Sequence, residues 1–140
     1  MKIYPLPSAV IFVGVALFVS ASLVRAQSVS VSVSPSTITN EGEDSTVTLT
    51  VSPPASRNIA VNLVLTGTAA PGSDFALIGN FNRSGQVLIP AGQPTATLTL
   101  HSLYDDDGRF SEFVVFNVIG GKRYRVGSPS HAQVTIENKP

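Results

Sequence analysis

The sequence predicts an all-β fold, an immunoglobulin-like antiparallel β-sandwich of about seven strands, on three observations. Apolar residues recur at every second position through most of the chain after Ala26, the pattern of strands with one buried face. Turn-forming Gly, Pro, Asn and Asp punctuate those stripes at short intervals. No window of comparable length after Ala26 carries the i, i+3, i+4 spacing of an amphipathic helix. Short alternating strands of this kind bury their apolar stripes by packing two sheets face to face.

The elements follow in order. Ser28 to Ser34 alternates Ser and Val, which puts Val29, Val31 and Val33 on one face. Thr46 to Val51 repeats the pattern through Val47, Leu49 and Val51, and Ile59, Val61, Leu63 and Leu65 make a third stripe. Val87 with Ile89 is a short fourth; Ala96, Leu98 and Leu100 are the fifth. Val114, Phe116 and Val118 form the sixth, and Ala132, Val134 and Ile136 the seventh. Ser and Thr fill the alternate positions, as suits a wet outer face. Turn signals separate the stripes: Pro35, Asn40-Glu41-Gly42, Pro53-Pro54, Pro71-Gly72, Pro90-Ala91-Gly92, Asp107-Gly108, Gly120-Gly121 and Gly127-Ser128-Pro129. Gly72 is expected at a positive φ.

Residues 1–26 read differently. Lys2 precedes an apolar run from Ala9 to Val24, and Val24-Arg25-Ala26 places small residues at a cleavage position, the arrangement of a secretory signal peptide. The expected division is a signal peptide over 1–26 and one domain over 27–140, with no transmembrane span once the signal is removed. The run is shorter than the roughly 20 residues of a membrane helix. The expected location is secreted, periplasmic or at the cell surface. With no cysteine in the chain, there is no disulfide framework and no thiolate metal site. Seven basic against nine acidic side chains remain outside residues 1–26, which argues against a nucleic-acid partner.

If successive strands alternate in direction, odd-numbered connections share one pole of the sandwich. Glu41, Glu43 and Asp44 lie in the first connection, Asp74 in the third, Asp105, Asp106, Asp107 and Glu112 in or beside the fifth, and Glu137 after the last strand. All nine carboxylates then collect at one pole, while Arg57, Lys122, Arg123 and Arg125 fall at the other. Crowded carboxylates repel unless protonated, dispersed into water or bridged by a cation. Calcium suits bridging, because it accepts six to eight oxygens in flexible geometry, whereas magnesium keeps more waters and zinc wants His or Cys. The alternative is a set of solvated acidic turns.

The same residues carry a resemblance. Asn40-Glu41-Gly42, then Thr68-Ala69-Ala70-Pro71-Gly72-Ser73-Asp74-Phe75, then Asp105-Asp106 ahead of Glu112 resemble the Calx-β domain. So does the closing stretch from Tyr124-Arg125-Val126-Gly127 to Val134-Thr135-Ile136-Glu137. The resemblance covers roughly Ser28 to Asn138 and implies a seven-stranded sandwich with calcium ligands from the acidic loops. Carried over by position, the ligands are Glu41, Asp74, Asp105, Asp106 and Glu112, with Asp107 beside them. It further implies a role in adhesion, cell-surface contact or cell communication, with calcium and another protein or cell-surface component as partners and membrane association through them. Two departures stand out: Arg109 occupies a position where the family often has an acid, and Glu137-Asn138-Lys139 replaces a run of aspartates. Arg109 among the carboxylates would neutralise them as a cation does, leaving a metal-independent structural or protein-interaction sandwich as the alternative. An exported sandwich without disulfides fits a bacterial source.

Catalysis is not expected. No Ser stands in a nucleophile-elbow pattern, and His101 and His131 belong to opposite poles. A His101–Asp105 contact with a nearby Ser is a catalytic geometry that the spacing allows, as spacing alone rarely excludes a triad. Lys122-Arg123-Tyr124-Arg125 is the single basic cluster, read as a solvated hairpin end or a contact for an anionic polysaccharide or phospholipid surface. Tyr124 is expected in the core. Phe113, Val115 and Ile119 make the outer face of the sixth stripe apolar as well, as for a central strand or a partner surface.

Overall fold

The structure, a computed structural model, describes residues 1–2, 14, 25–104 and 110–137. Most of the expected signal peptide therefore lies outside the described residues, as do Asp105, Asp106, Asp107, Arg109, Asn138 and Lys139. The described chain forms ten strands and no helix: β1 (Ser28–Ser34), β2 (Thr37–Ile38), β3 (Asp44–Ser52), β4 (Ile59–Gly67), β5 (Phe75–Gly79), β6 (Gln86–Ile89), β7 (Thr95–Ser102), β8 (Glu112–Ile119), β9 (Arg125–Val126) and β10 (His131–Ile136). They make two five-stranded sheets, ordered β5-β7-β3-β1-β9 and β2-β10-β8-β4-β6. The all-β sandwich expected from the stripes is the observed architecture.

Ten strands and seven stripes reconcile through the direction of the chain. β1 and β2, β5 and β6, and β9 and β10 are each one traverse of the sandwich that changes sheet part way. β1 pairs with β3 in one sheet, and beyond Pro35 the chain continues as β2 beside β10 in the other. Proline cannot donate to a ladder, so pairing is interrupted there at low cost. β5 runs antiparallel to β7, then the chain crosses and continues in the same direction as β6 against β4. β9 lies parallel to β1, and β10 parallel to β2. These two parallel pairings depart from the purely antiparallel sheet of the expectation. They arise because split traverses place two chain segments of like direction side by side.

Alternation in the sequence is alternation in burial. In β3, Val47, Leu49 and Val51 are buried while the Ser and Thr between them, apart from Ser45, are exposed or half-buried. β3 and β8 are the central strands of their sheets, and the core between them contains Leu49, Leu98 and Leu100 from one sheet and Val61, Val114 and Phe116 from the other. Each such side chain is worth roughly 1.5–3 kcal/mol when fully buried. With 21 buried hydrophobic residues in one cluster, the domain has a core that needs no disulfide. On the outer face of β8, Phe113 and Val115 are half-buried and Ile119 is exposed, consistent with a central strand partly shielded by its neighbours.

Candidate functional site

Because the three split traverses keep their direction, the parity of the connections survives. Residues 39–43, 68–74, 103–104 and 110–111, and Glu137, gather at one pole. Main-chain hydrogen bonds tie them together. Gly42 N–H donates to Ser102 C=O (3.2 Å), and Ser102 N–H donates to Glu43 C=O (3.0 Å). Leu103 N–H donates to Asp74 C=O (2.8 Å), while Thr68 and Ala69 N–H both donate to Phe113 C=O (2.9 and 3.0 Å). Glu137 N–H donates to Ile38 C=O at 2.8 Å. The loop carrying Asp74 is thus fastened to both flanks of the Asp105–Asp107 segment, at Leu103 and at Phe113.

Each described candidate has a distinct setting. Asp74 is 9% exposed and sits next to Phe75, which is fully buried. Its Oδ2 accepts the Ala70 N–H, and its own N–H donates to Ala70 C=O (3.0 Å). The loop closes on itself at this residue. Gly72 takes φ +89°, as expected, and its N–H donates to Phe75 C=O. Glu41 is half-buried in the first connection, and Glu112 half-buried at the start of β8, in register with Ile136. Among the described residues, no three His, Asp or Glu side chains come together as a metal-binding group. The other three candidates, Asp105, Asp106 and Asp107, lie outside those residues.

The remaining acids of this pole have structural duties. Glu43 accepts from the main-chain N–H groups of Thr39 and Asn40 (both 3.3 Å) and from Asn40 Nδ2 (2.7 Å). It caps the first connection with its own side chain. Asp44 Oδ1 lies 2.6 Å from His101 Nδ1, across a registered β3–β7 pair. His101 is therefore engaged by Asp44, a partner the sequence reading did not assign, having considered Asp105. His131 stands at the opposite end, at the start of β10, with Ser130 Oγ 3.4 Å from its Nδ1.

The opposite pole holds Arg57, Lys122, Arg123 and Arg125. Here Tyr124 is 6% exposed and anchors the connection between β8 and β9. Its hydroxyl accepts the Asn62 N–H (2.9 Å) and donates to Ile119 C=O. Burial pushes its phenol above the ordinary value of 10, partly offset by the Asn62 hydrogen bond. Gly121 lies under the ring, where a Cβ would fall 2.3 Å from Tyr124 Cε1. Two depressions flank Arg123 at this pole. One, of about 430 Å³, is lined chiefly by Asn58, Asn62, Gln86, Leu88, Lys122 and Arg123; the other, of about 280 Å³, is lined in part by Ser56, Arg57 and Arg123. The sequence reading named the cations but missed Asn58, Asn62, Gln86 and Leu88. Three of these sit at outward-facing strand positions, and β4 and β6 had to be placed side by side before they formed a surface.

Comparison with known proteins bears on the fold. At the level of sequence, no protein-family model and no curated protein matches the chain. Among solved structures, the apo form of the Calx CBD1 domain is similar at a TM-score of 0.58 and 19% identity, over 80% of this chain and 98% of that one. CBD12 from CALX1.2 gives a TM-score of 0.56 at 18% identity, over 76% of this chain and 43% of that one. The calcium-binding domain CBD12 of CALX1.1 gives 0.56 at 20% identity, again over 76% and 43%. The chain shares the fold of the Calx calcium-binding domains.

Proposed function

We propose that the protein is a calcium-binding or calcium-stabilised module whose site is the acidic pole. The observation that carries this reading is the fastening of the Asp74 loop to Leu103 and Phe113, the residues that flank the acidic segment 105–107. Glu41, Asp74 and Glu112, with Asp105, Asp106 and Asp107, are the residues that would hold the ion. The donor set fits calcium, being hard oxygen from several loops; His101, the one imidazole nearby, is taken by Asp44. When bound, calcium supplies charge neutralisation and a rigid bridge. The chain's own contribution is to hold Asp74 at a fixed place against the core and to keep the first, third and fifth connections within reach of it. Similarity to the calcium-binding domains named above supports the same reading.

The protein's role is then that of an exported binding module, secreted, periplasmic or at the cell surface, in adhesion or cell communication rather than catalysis. The apolar run ahead of Ala26 supports export. N-terminal sequencing of the exported protein is expected to begin at Gln27; a retained Met1 would contradict the proposed cleavage.

Calorimetric titration of the protein with calcium tests the site. Binding is expected, with Asp74→Asn lowering affinity by about tenfold or more, the equivalent of one lost charged ligand. Absence of calcium binding, or binding untouched by Asp74→Asn, would overturn the assignment. A second reading rests on one observation: the Asp74 carboxylate already accepts the Ala70 N–H, a duty it performs without a metal. On that reading the pole is a metal-independent scaffold and Arg109 provides the balancing charge.

A further inference from the structure

We propose that the basic pole carries a second ligand site, a groove for an acidic oligosaccharide. The floor of the larger depression is the outer surface of β4 and β6, where Asn62 and Gln86 stand opposite each other in register. Gln86 Nε2 donates to Asn62 Oδ1 (2.9 Å), and Asn62 Nδ2 donates to Gly120 C=O (3.1 Å). Each amide NH2 carries a second hydrogen beyond these bonds, and exposed Leu88 lies beside them. Amides next to a small apolar patch match a sugar ring, which offers hydroxyls at its edge and C–H groups on its face.

The wall of the groove is built rigidly. Tyr124 holds the 120–124 turn onto β4 and the end of β8 through its hydroxyl, and the ring fills the space that only glycine leaves at Gly121. Lys122 and Arg123 are carried by that turn, and Arg123 Nη1 donates to Asn58 C=O (3.5 Å). The main chain that carries both cations is therefore already placed when a ligand arrives, which limits the ordering left to their side chains.

Charge gives the ligand its sign and its length. No carboxylate lines either depression. Arg123 borders both, so Lys122, Arg123 and Arg57 form a row across two adjoining hollows. A single small anion would satisfy one hollow; a chain with repeated negative charges satisfies the row. Arg125, the fourth cation of this pole, lies outside both linings, so the charge is concentrated in the hollows, and a concave amide floor does not suit a flat bilayer. Neither lining contains an aromatic side chain on which a nucleic-acid base could stack.

The test is a calorimetric titration of the protein in EDTA, which keeps it independent of the acidic pole. The probes are a galacturonic acid tetramer, a heparin-derived tetrasaccharide and a neutral chitin tetramer. At least one acidic tetramer is expected to bind, weakening as salt rises, with the uronate and sulfate arms telling which acid group is preferred. The double variant Lys122→Ser/Arg123→Ser is expected to lower affinity by about tenfold or more, and Gln86→Ala several-fold. These side chains lie on the surface and outside the core cluster, and thermal unfolding of each variant checks its fold. Equal binding of the neutral tetramer, indifference to both variants, or no binding of either acidic tetramer would overturn the proposal. So would charge-dependent capture by phosphatidylserine vesicles without oligosaccharide binding, which would assign the row to a membrane.

Discussion

At the scale of single residues, two polar side chains do work that apolar burial cannot. Tyr124 gives one hydroxyl to two strands, satisfying the Asn62 N–H and the Ile119 C=O at the end of the β4–β8 ladder. Tyr124→Phe keeps the ring but leaves both main-chain groups without that partner, an expected cost of about 1–3 kcal/mol in denaturant unfolding. The same residue sets an alkaline limit. Burial raises its folded pKa above 10, so the folded protein keeps a proton that the unfolded chain releases near pH 10. Its contribution is intact below about pH 10 and declines as pH rises past it. The loss between wild type and Tyr124→Phe should therefore shrink above pH 10; a constant difference would contradict it. Asp74 is the counterpart at the acidic pole. Asp74→Ala removes the acceptor of the Ala70 N–H and is expected to cost about 1–3 kcal/mol even in EDTA, whereas Asp74→Asn retains an acceptor oxygen and costs less.

At the scale of elements, the fold is seven traverses, three of which change sheet. Six of the seven traverses were legible because their apolar residues alternate over five positions or more, as in β3 and β4; the fourth showed only Val87 and Ile89. The extra strands were not. β2 and β9 are two residues each, too short to show a period, and they exist only because β10 and β1 lie beside them. β5 reads Phe-Ala-Leu-Ile-Gly, a run with no alternation, and its pairing with β7 comes from the sandwich rather than from local pattern. Sheet changes at Pro35 and between β5 and β6 were likewise invisible, since proline and glycine announce a turn without saying which sheet follows. Central strands carry the largest stakes. Leu49, fully buried in the middle of β3, should cost about 2–5 kcal/mol on substitution by Ala, measurable as a lowered denaturant midpoint. A similar change at Leu88 on the outer face of β6, 37% exposed, should leave stability within about 0.5 kcal/mol.

At the scale of the molecule, the organising feature is the separation of charge. Among the described residues, carboxylates mark one end of the sandwich and Arg57, Lys122, Arg123 and Arg125 the other, a layout that strand parity made readable from sequence. Parity held because each split traverse counts as one strand; had β5 and β6 run in opposite directions, Asp74 would have landed with the cations. What parity could not give was the use of individual acids. Glu43 and Asp44 stood in the same short segment as Glu41, yet Glu43 caps its own turn through Thr39 and Asn40, a choice set by the local fold of that turn, and Asp44 meets His101 through the β3–β7 register. At the basic end the cations were readable, but the amide floor required β4 and β6 to be brought together.

The most direct test of the calcium account is thermal unfolding of the protein in EDTA and in millimolar calcium, with magnesium as control. A site saturated about 100-fold above its Kd adds roughly 2.7 kcal/mol, which for a domain of this size raises Tm by on the order of 10 °C. The account predicts a rise of that order with calcium, none with magnesium, and loss of the rise in Asp74→Asn. An identical Tm in EDTA and calcium would contradict it and leave the acidic pole a scaffold held together by its own hydrogen bonds.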